Sequence, residues 1–521
     1  MGRDRLGREE RAAALRPRQP AAPQARRSST KGGVNVWNRL EERELKRVSR
    51  RISDYDAGQL PAPGQPAGTD LLPQIKHIVV LMMENHSYDN YLGMLAGRGE
   101  GFPLGPDGEP EVSNTGLHGE SVPAHHLPTT VQLPETPSQG WHATHLQWDD
   151  GKLDGFVSAT QQLMPDKDPT PAMGYWTEDD LPFYHGLART FPLADRWFSS
   201  CLGPTFPNRR FLISGTAHGL IDDLPMNMAD YPEHGTVFDL LSKHDISWVN
   251  YHPIAGGKTG LRAALRHRRR MLRRRLRSLR ALNPFSLAQL GKDMQFTADI
   301  YPLGIARYMQ HVRGIEQFFT DADEGTLPAF SLVDPDFKAY SEENPQDVKK
   351  GESFASEVVR RVTHGKGWAN TLLIWLYDEH GGYYDHVPPP AAVEPDDVPG
   401  RSVLSRATWQ HAVLRVLAPG YVKKAQLMDG GPKRYDRYGF RVPAVMVSPY
   451  ARRDYVSSQT FDHTSVLKLV EEKWNLPPLT ARDAAAVSPL DALDFDHPPA
   501  FAKPPELPEP ALRWGSWPAE V

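Results

Sequence analysis

Four apolar runs of strand length recur along this 521-residue chain: "KHIVVLMMEN" around Ile78 to Met83, "AFSLVDP", "TLLIWLYDE" and "PAVMVSP". They are continuous in apolar character, where a strand with one wet face would alternate. Such strands need cover on both faces, which predicts a layered α/β domain with a mostly parallel sheet and helical stretches between the strands. In sheets of this kind ligands gather beyond the carboxyl ends of the strands. The first run is followed there by Glu84 and Asn85, and "TLLIWLY" by Asp378 and Glu379.

A carboxylate at a strand end often only caps the next helix. Three carboxylates and an amide brought to one sheet edge repel each other unless a cation joins them, so the pattern predicts a divalent metal site at Glu84, Asn85, Asp378 and Glu379. Oxygen donors favour magnesium, calcium or manganese over zinc. A third loop, "CLGPTFPNRRFLISGTAHG" from Cys201 to Gly219, places Thr205 in a Pro-bracketed turn that opens a helix. A simple N-cap hydroxyl is the plain reading of such a threonine. Beside a divalent ion it becomes a fifth metal ligand and a nucleophile, and the neighbouring N–H groups, Asn208 and Arg209 become binders of phosphoryl oxygens. Cys201 is the single cysteine, so neither a disulfide nor a Cys-based metal cluster is available, and a small buried apolar role is expected for it.

The stretches "MMENHSYDNYLG", "GPTFPNRRFLISG", "YDEHGGYYDHVPPP", "YGFRVPAVMVSPYA" and "FDHTSVLKLVEEKW" resemble, in order, the motifs of the bacterial phosphoesterase family of phospholipases C and acid phosphatase, within the alkaline-phosphatase-like superfamily. The resemblance spans roughly residues 75 to 480. It implies a three-layer α/β/α core, a metal held by Glu84, Asn85, Asp378 and Glu379, and Thr205 as nucleophile. Two departures stand out: where many relatives carry histidine, this chain has Gln139 and Asn344. Neutral amides can donate hydrogen bonds to a phosphoryl oxygen but cannot shuttle protons. The role of general acid then falls to His145, His252, His380 or His463, and His386 with Asp385 is expected to shape the Pro-rich loop that follows. Tyr88, Trp141, Trp148 and Trp176 either line a pocket for a cationic head group or fill core, core being the simpler reading.

Outside the core the chain changes character. Residues 1–35 have the composition of a disordered basic tail. In 36–72, Trp37, Leu40, Leu45, Val48 and Ile52 give an amphipathic helix, and a Pro/Gly linker follows. A catalytic domain is expected over 73–480 and a Pro-rich extension over 481–521. Within the domain, Leu261 to Leu282 reads as a basic amphipathic helical insert, with Leu261, Leu265, Leu272, Leu276 and Leu279 at helical spacing among arginines. Packed like charges call for anions nearby, so an anionic membrane surface and a passive solvated face stand as equal readings. Nucleic acid is the weaker partner because aromatic residues are not interleaved. A net charge of −4 gives no bias of its own.

The expected activity is metal-dependent hydrolysis of phosphoric esters, of phospholipase C type on phospholipids through a phospho-threonine. An acid phosphatase and a non-catalytic phospholipid-binding protein are the alternatives. No apolar signal core or membrane-length run is present, so the default compartment is the cytoplasm, with association to a membrane surface; secretion by another route stays open.

Overall fold

The computed structural model describes residues 60–134, 137–223, 231–253, 297–301, 308–401 and 430–516. The tail, the helix from Trp37 to Ile52 and the basic insert at 261–282 lie outside them.

An eight-stranded sheet organises the chain. Its strands are β1 (His77–Met83), β2 (Leu193–Ala194), β3 (Trp248–His252), β4 (Val312–Gly314), β5 (Phe330–Val333), β6 (Thr371–Tyr377), β7 (Ala444–Val447) and β8 (Val456–Ser457). They run in the order β8-β2-β7-β6-β1-β5-β3-β4. All neighbours are parallel except β7, which runs antiparallel to both β6 and β2. The four apolar runs of the sequence are β1, β5, β6 and β7. Ile78 to Met83 and every residue of β6 are buried, so both faces of the centre are covered, as continuous apolar strands require. Each fully buried aliphatic side chain there contributes about 1.5–3 kcal/mol.

Register decides what reaches the sheet edge. Met83 pairs with Tyr377 and Leu81 with Val333, so the residues that follow β6, β1 and β5 leave side by side at the carboxyl edge. These are Asp378-Glu379, Glu84-Asn85 and Asp334. Because β7 is antiparallel, its carboxyl end points to the opposite edge and brings nothing to this one.

Five helices matter for the site: α1 (Tyr88–Leu92), α2 (Trp141–Trp148), α3 (Thr205–Ser214), α4 (Val348–His364) and α5 (Thr464–Trp474). Asp347 caps α4 by accepting from the Lys349 N–H at 3.1 Å. The Pro/Gly stretch from Leu60 is fixed against the end of α5: the Asn475 amide donates to the carbonyls of Ala62, Gln65 and Pro66 at 2.9–3.2 Å, and Lys473 pairs with Asp70 at 2.7 Å. The Pro-rich C-terminal segment is anchored too, by the Ala511 N–H donating to Glu352 at 3.2 Å. Among the described residues no helix is long and apolar enough to cross a membrane.

Candidate active site

The loop after β1 turns at once. Asn85 adopts φ +70°, a left-handed conformation that asparagine tolerates better than most residues. The turn presses its carbonyl against Gly381 so closely that a Cβ there would lie 1.9 Å from the Asn85 oxygen. Gly381 itself sits at φ +69°, so the "DEHGG" stretch needs glycine for both reasons.

This close approach sets the Asn85 carboxamide among three other side chains. Its inner terminal atom lies 2.8 Å from Glu379 Oε1, 3.2 Å from Asp378 Oδ1 and 3.2 Å from Thr205 Oγ1. With nitrogen inward it donates to these oxygens while its own oxygen accepts from Gln139 Nε2 at 3.1 Å. With oxygen inward, Thr205 donates to it at 3.2 Å, and four oxygens face one another. Oxygens so spaced match the edges of an octahedron, about 3.0 Å for metal–oxygen bonds of about 2.1 Å. Among the described residues no three His, Cys, Asp or Glu side chains form a metal-binding group on their own; an amide and a hydroxyl supply half of these four donors.

The local charge points the same way. Glu84 is buried with its Oε2 unpartnered, and burial together with the negative Glu343 and Asp378 pushes its carboxyl well above the usual range. Burial and then Asp378 raise Glu379 in the same way. Burial also raises Asp378, although Arg209 opposes the rise. A cation at this edge would relieve all three. The residues present therefore fit a divalent ion held through oxygen.

Thr205 is the first residue of α3, and its hydroxyl makes no capping bond; Pro204 occupies the N-cap. Only 4% of Thr205 is exposed, at the base of the site. Cys201, four residues earlier, is buried and its thiol is pushed up by desolvation, consistent with a packing role.

Several expected roles change. Arg209 does not face a substrate: its five N–H donors go to Asp378 Oδ2 at 2.8 Å, Asp334 Oδ1 at 2.9 Å, Thr297 Oγ1 at 3.0 Å and the carbonyls of Met82 and Met83. It is the internal counter-charge that ties α3 to the strand ends. Asn208 is likewise consumed, donating to the carbonyls of Gly203 and Pro204 at 2.8 and 3.0 Å and accepting from the Cys201 N–H at 3.0 Å. It fixes the turn that presents Thr205. Asn344 donates to the Leu133 carbonyl at 3.1 Å on the loop beside Glu84, where Ser341 and Glu343 lie. Of the expected phosphate binders, Arg209 reaches the cluster from behind through Asp378, and Gln139 reaches it through Asn85 when the Asn85 nitrogen faces inward.

Burial also decides the histidines. It lowers His145, His252 and His463 to about 4 and His380 to about 3, so all four are neutral at neutral pH and none is a ready proton donor. His145 bonds the Trp141 carbonyl within α2 at 2.7 Å, and His252 stacks on Phe337 at the end of β3. His463 Nε2 donates to the Asp378 carbonyl at 2.6 Å, and His380 Nε2 meets Gln147 Oε1 at 2.8 Å. His463 thus positions the backbone at the end of β6, and His380 ties the loop after it to α2. His386 bonds Asp89 at 2.6 Å and Asp385 accepts from the Val387 N–H at 3.0 Å, which shapes the loop as expected. Tyr88, Trp141 and Trp176 are buried, Tyr88 under the Arg441 guanidinium, so they fill core. Trp148 is partly exposed and covered by Arg437.

Two residues of the site escaped the sequence reading. Asp334 follows an apolar strand just as Glu84 and Asp378 do, and that position was the available signal. Asp223 caps the Phe206 N–H at 2.9 Å, a contact seventeen residues apart that no local pattern announces.

A sequence model of the phosphoesterase family matches residues 75–477. The chain is 28% identical to the hemolytic phospholipase C of Pseudomonas aeruginosa over 78% of its own length, but spans only 54% of that protein. It is 30% identical to phospholipase C B of Mycobacterium tuberculosis, over 86% of this chain and 82% of that one. A solved Vibrio parahaemolyticus protein of the alkaline phosphatase superfamily matches at a TM-score of 0.33 and 10% identity, over 87% of this chain and 78% of that one, too distant to bear on the chemistry.

Proposed function

The chain belongs to the phosphoesterase family, and from that premise we propose that it is a metal-dependent phosphodiesterase of phospholipase C type, with Thr205 as its nucleophile. The observation that carries this reading is the convergence of Thr205, Asp378 and Glu379 oxygens on the Asn85 carboxamide, beside the unpartnered Glu84 oxygen. Glu84, Asn85, Thr205, Asp378 and Glu379 would hold the ion. When bound, a divalent ion would lower the pKa of a hydroxyl ligand and offset charge on the phosphoryl group.

The remaining steps fall to the chain. Asn208 and Pro204 hold the turn so that the Thr205 oxygen is presented at the base of the site, and Arg209 locks α3 to Asp378 and Asp334. Attack forms a bond from Thr205 Oγ to phosphorus and breaks the phosphorus–oxygen bond on the glycerol side. The proton lost by Thr205 is returned in net terms to the leaving alkoxide. Water then cleaves the phospho-threonine, releasing the phosphorylated head group and restoring the hydroxyl. The neutral histidines orient backbone here and leave no dedicated imidazolium acid.

Turnover of p-nitrophenyl phosphorylcholine against p-nitrophenyl phosphate, with magnesium, calcium, manganese or zinc, tests the reading. Faster diester cleavage that disappears in Thr205→Ala supports it. A monoester preference would indicate a phosphatase, and no turnover of either would indicate a binding protein.

A further inference from the structure

The first turn of α3 offers few donors for an anion. Pro204 and Pro207 carry no N–H, and the N–H of Phe206, next to the nucleophile, donates to Asp223 Oδ1 at 2.9 Å. A carboxylate oxygen thus sits on the donor that a phosphoryl oxygen attacked by Thr205 would seek. Asp223 is exposed, whereas Glu84, Asp378 and Glu379 are buried, so its carboxylate stands at the solvent side of the cluster. It is also close enough to the cluster for its negative charge to act on Glu379.

We propose that Asp223 is a specificity-determining residue whose negative charge, held on the Phe206 N–H beside the nucleophile, selects against doubly charged phosphates in favour of singly charged diesters; this inference rests on the phosphodiesterase reading above. The physical basis is Coulomb repulsion. A monoester or inorganic phosphate, mostly dianionic above about pH 6–7, meets twice the repulsion that a diester monoanion meets. The same charge discourages the site from holding phosphate after turnover.

Asp223→Asn separates charge from capping, because the amide oxygen still accepts from Phe206 while the charge is gone. The probes are inorganic phosphate, titrated calorimetrically into the metal-loaded full chain at pH 8, and KM for the two nitrophenyl esters. Phosphate affinity and the monoester KM are expected to improve about tenfold, and the diester KM about threefold or less. At pH 5.5, where phosphate is a monoanion, the gain in its affinity should shrink toward the diester value. Phosphate affinity equal within about twofold in the two proteins would overturn the proposal and leave Asp223 as a helix cap. The titration needs no turnover, so it decides the inference even if neither ester is cleaved and the phosphodiesterase reading falls. Asp223→Ser, a neutral cap, serves in the same comparison if the asparagine variant does not fold.

Discussion

Two buried acidic clusters lie near the carboxyl edge of the sheet, and they are built to opposite accounts of charge. In one, Arg441 bonds Asp89 at 3.0 Å and Asp385 at 2.9 Å, and His386 meets Asp89 at 2.6 Å. Burial opposes charge on His386, but Asp89 outweighs it and lifts its pKa, which favours the charged imidazolium beside the two carboxylates. In the other, Glu84, Asp378 and Glu379, with Asp334 beside them, have Arg209 as the one arginine or lysine paired with them among the described residues, and a Glu84 oxygen has no hydrogen-bond partner there. Balanced buried charge is scaffold; unbalanced buried charge at a strand edge is a place prepared for a ligand.

Substitutions in the two clusters should have opposite effects. The largest effect expected is on chemistry: Thr205→Ala should lower kcat by about 10⁴-fold or more while leaving the melting temperature nearly unchanged, as steady-state kinetics and calorimetry would show. Next comes stability. Arg441→Ala strands two buried carboxylates and should cost about 3–5 kcal/mol in denaturant unfolding, with little change in metal affinity if the chain still folds. Glu84→Gln should do the reverse. It removes an uncompensated charge and should raise the melting temperature of the metal-free protein, while weakening metal binding about tenfold or more in a calorimetric titration.

A smaller effect concerns Glu342, which accepts from the hydroxyls of Tyr91 at 2.8 Å and Tyr184 at 2.6 Å, and from Tyr377. Burial raises it to about 8. Because the folded pKa lies above the ordinary glutamate value, the group's contribution is complete below about pH 4.5 and is lost as pH rises toward 8. Thermal stability should fall across that window, and Glu342→Gln should flatten the fall by about 2 °C or more. Smallest is Gln139→Ala, which removes one hydrogen bond to Asn85 and should lower kcat by about tenfold or less.

The central strands were legible because two-sided burial demands continuous apolar runs, and the strand-end rule then found Glu84, Asn85, Asp378 and Glu379. The two-residue strands Leu193–Ala194 and Val456–Ser457 were not, since pairs so short exist only through the partners that flank them. Arg209 and Asn208 were misread for a physical reason. A polar residue beside a nucleophile looks alike in sequence whether it faces substrate or braces the turn from behind. What distinguishes the two is where the donors go, and those of Arg209 are all taken by the protein itself. Asp334 was readable in principle; Asp223 was not, because its meaning is one long-range hydrogen bond.

On the proposed mechanism Thr205 becomes covalently bonded to phosphorus in a metal-loaded site. Metal-loaded protein turning over p-nitrophenyl phosphorylcholine, quenched in acid and digested with trypsin, should show phosphorylcholine on Thr205 in the peptide Trp197–Arg209, and none after chelation. Rapid turnover with Thr205 unmodified, and with Thr205→Ala retaining the full rate, would contradict it.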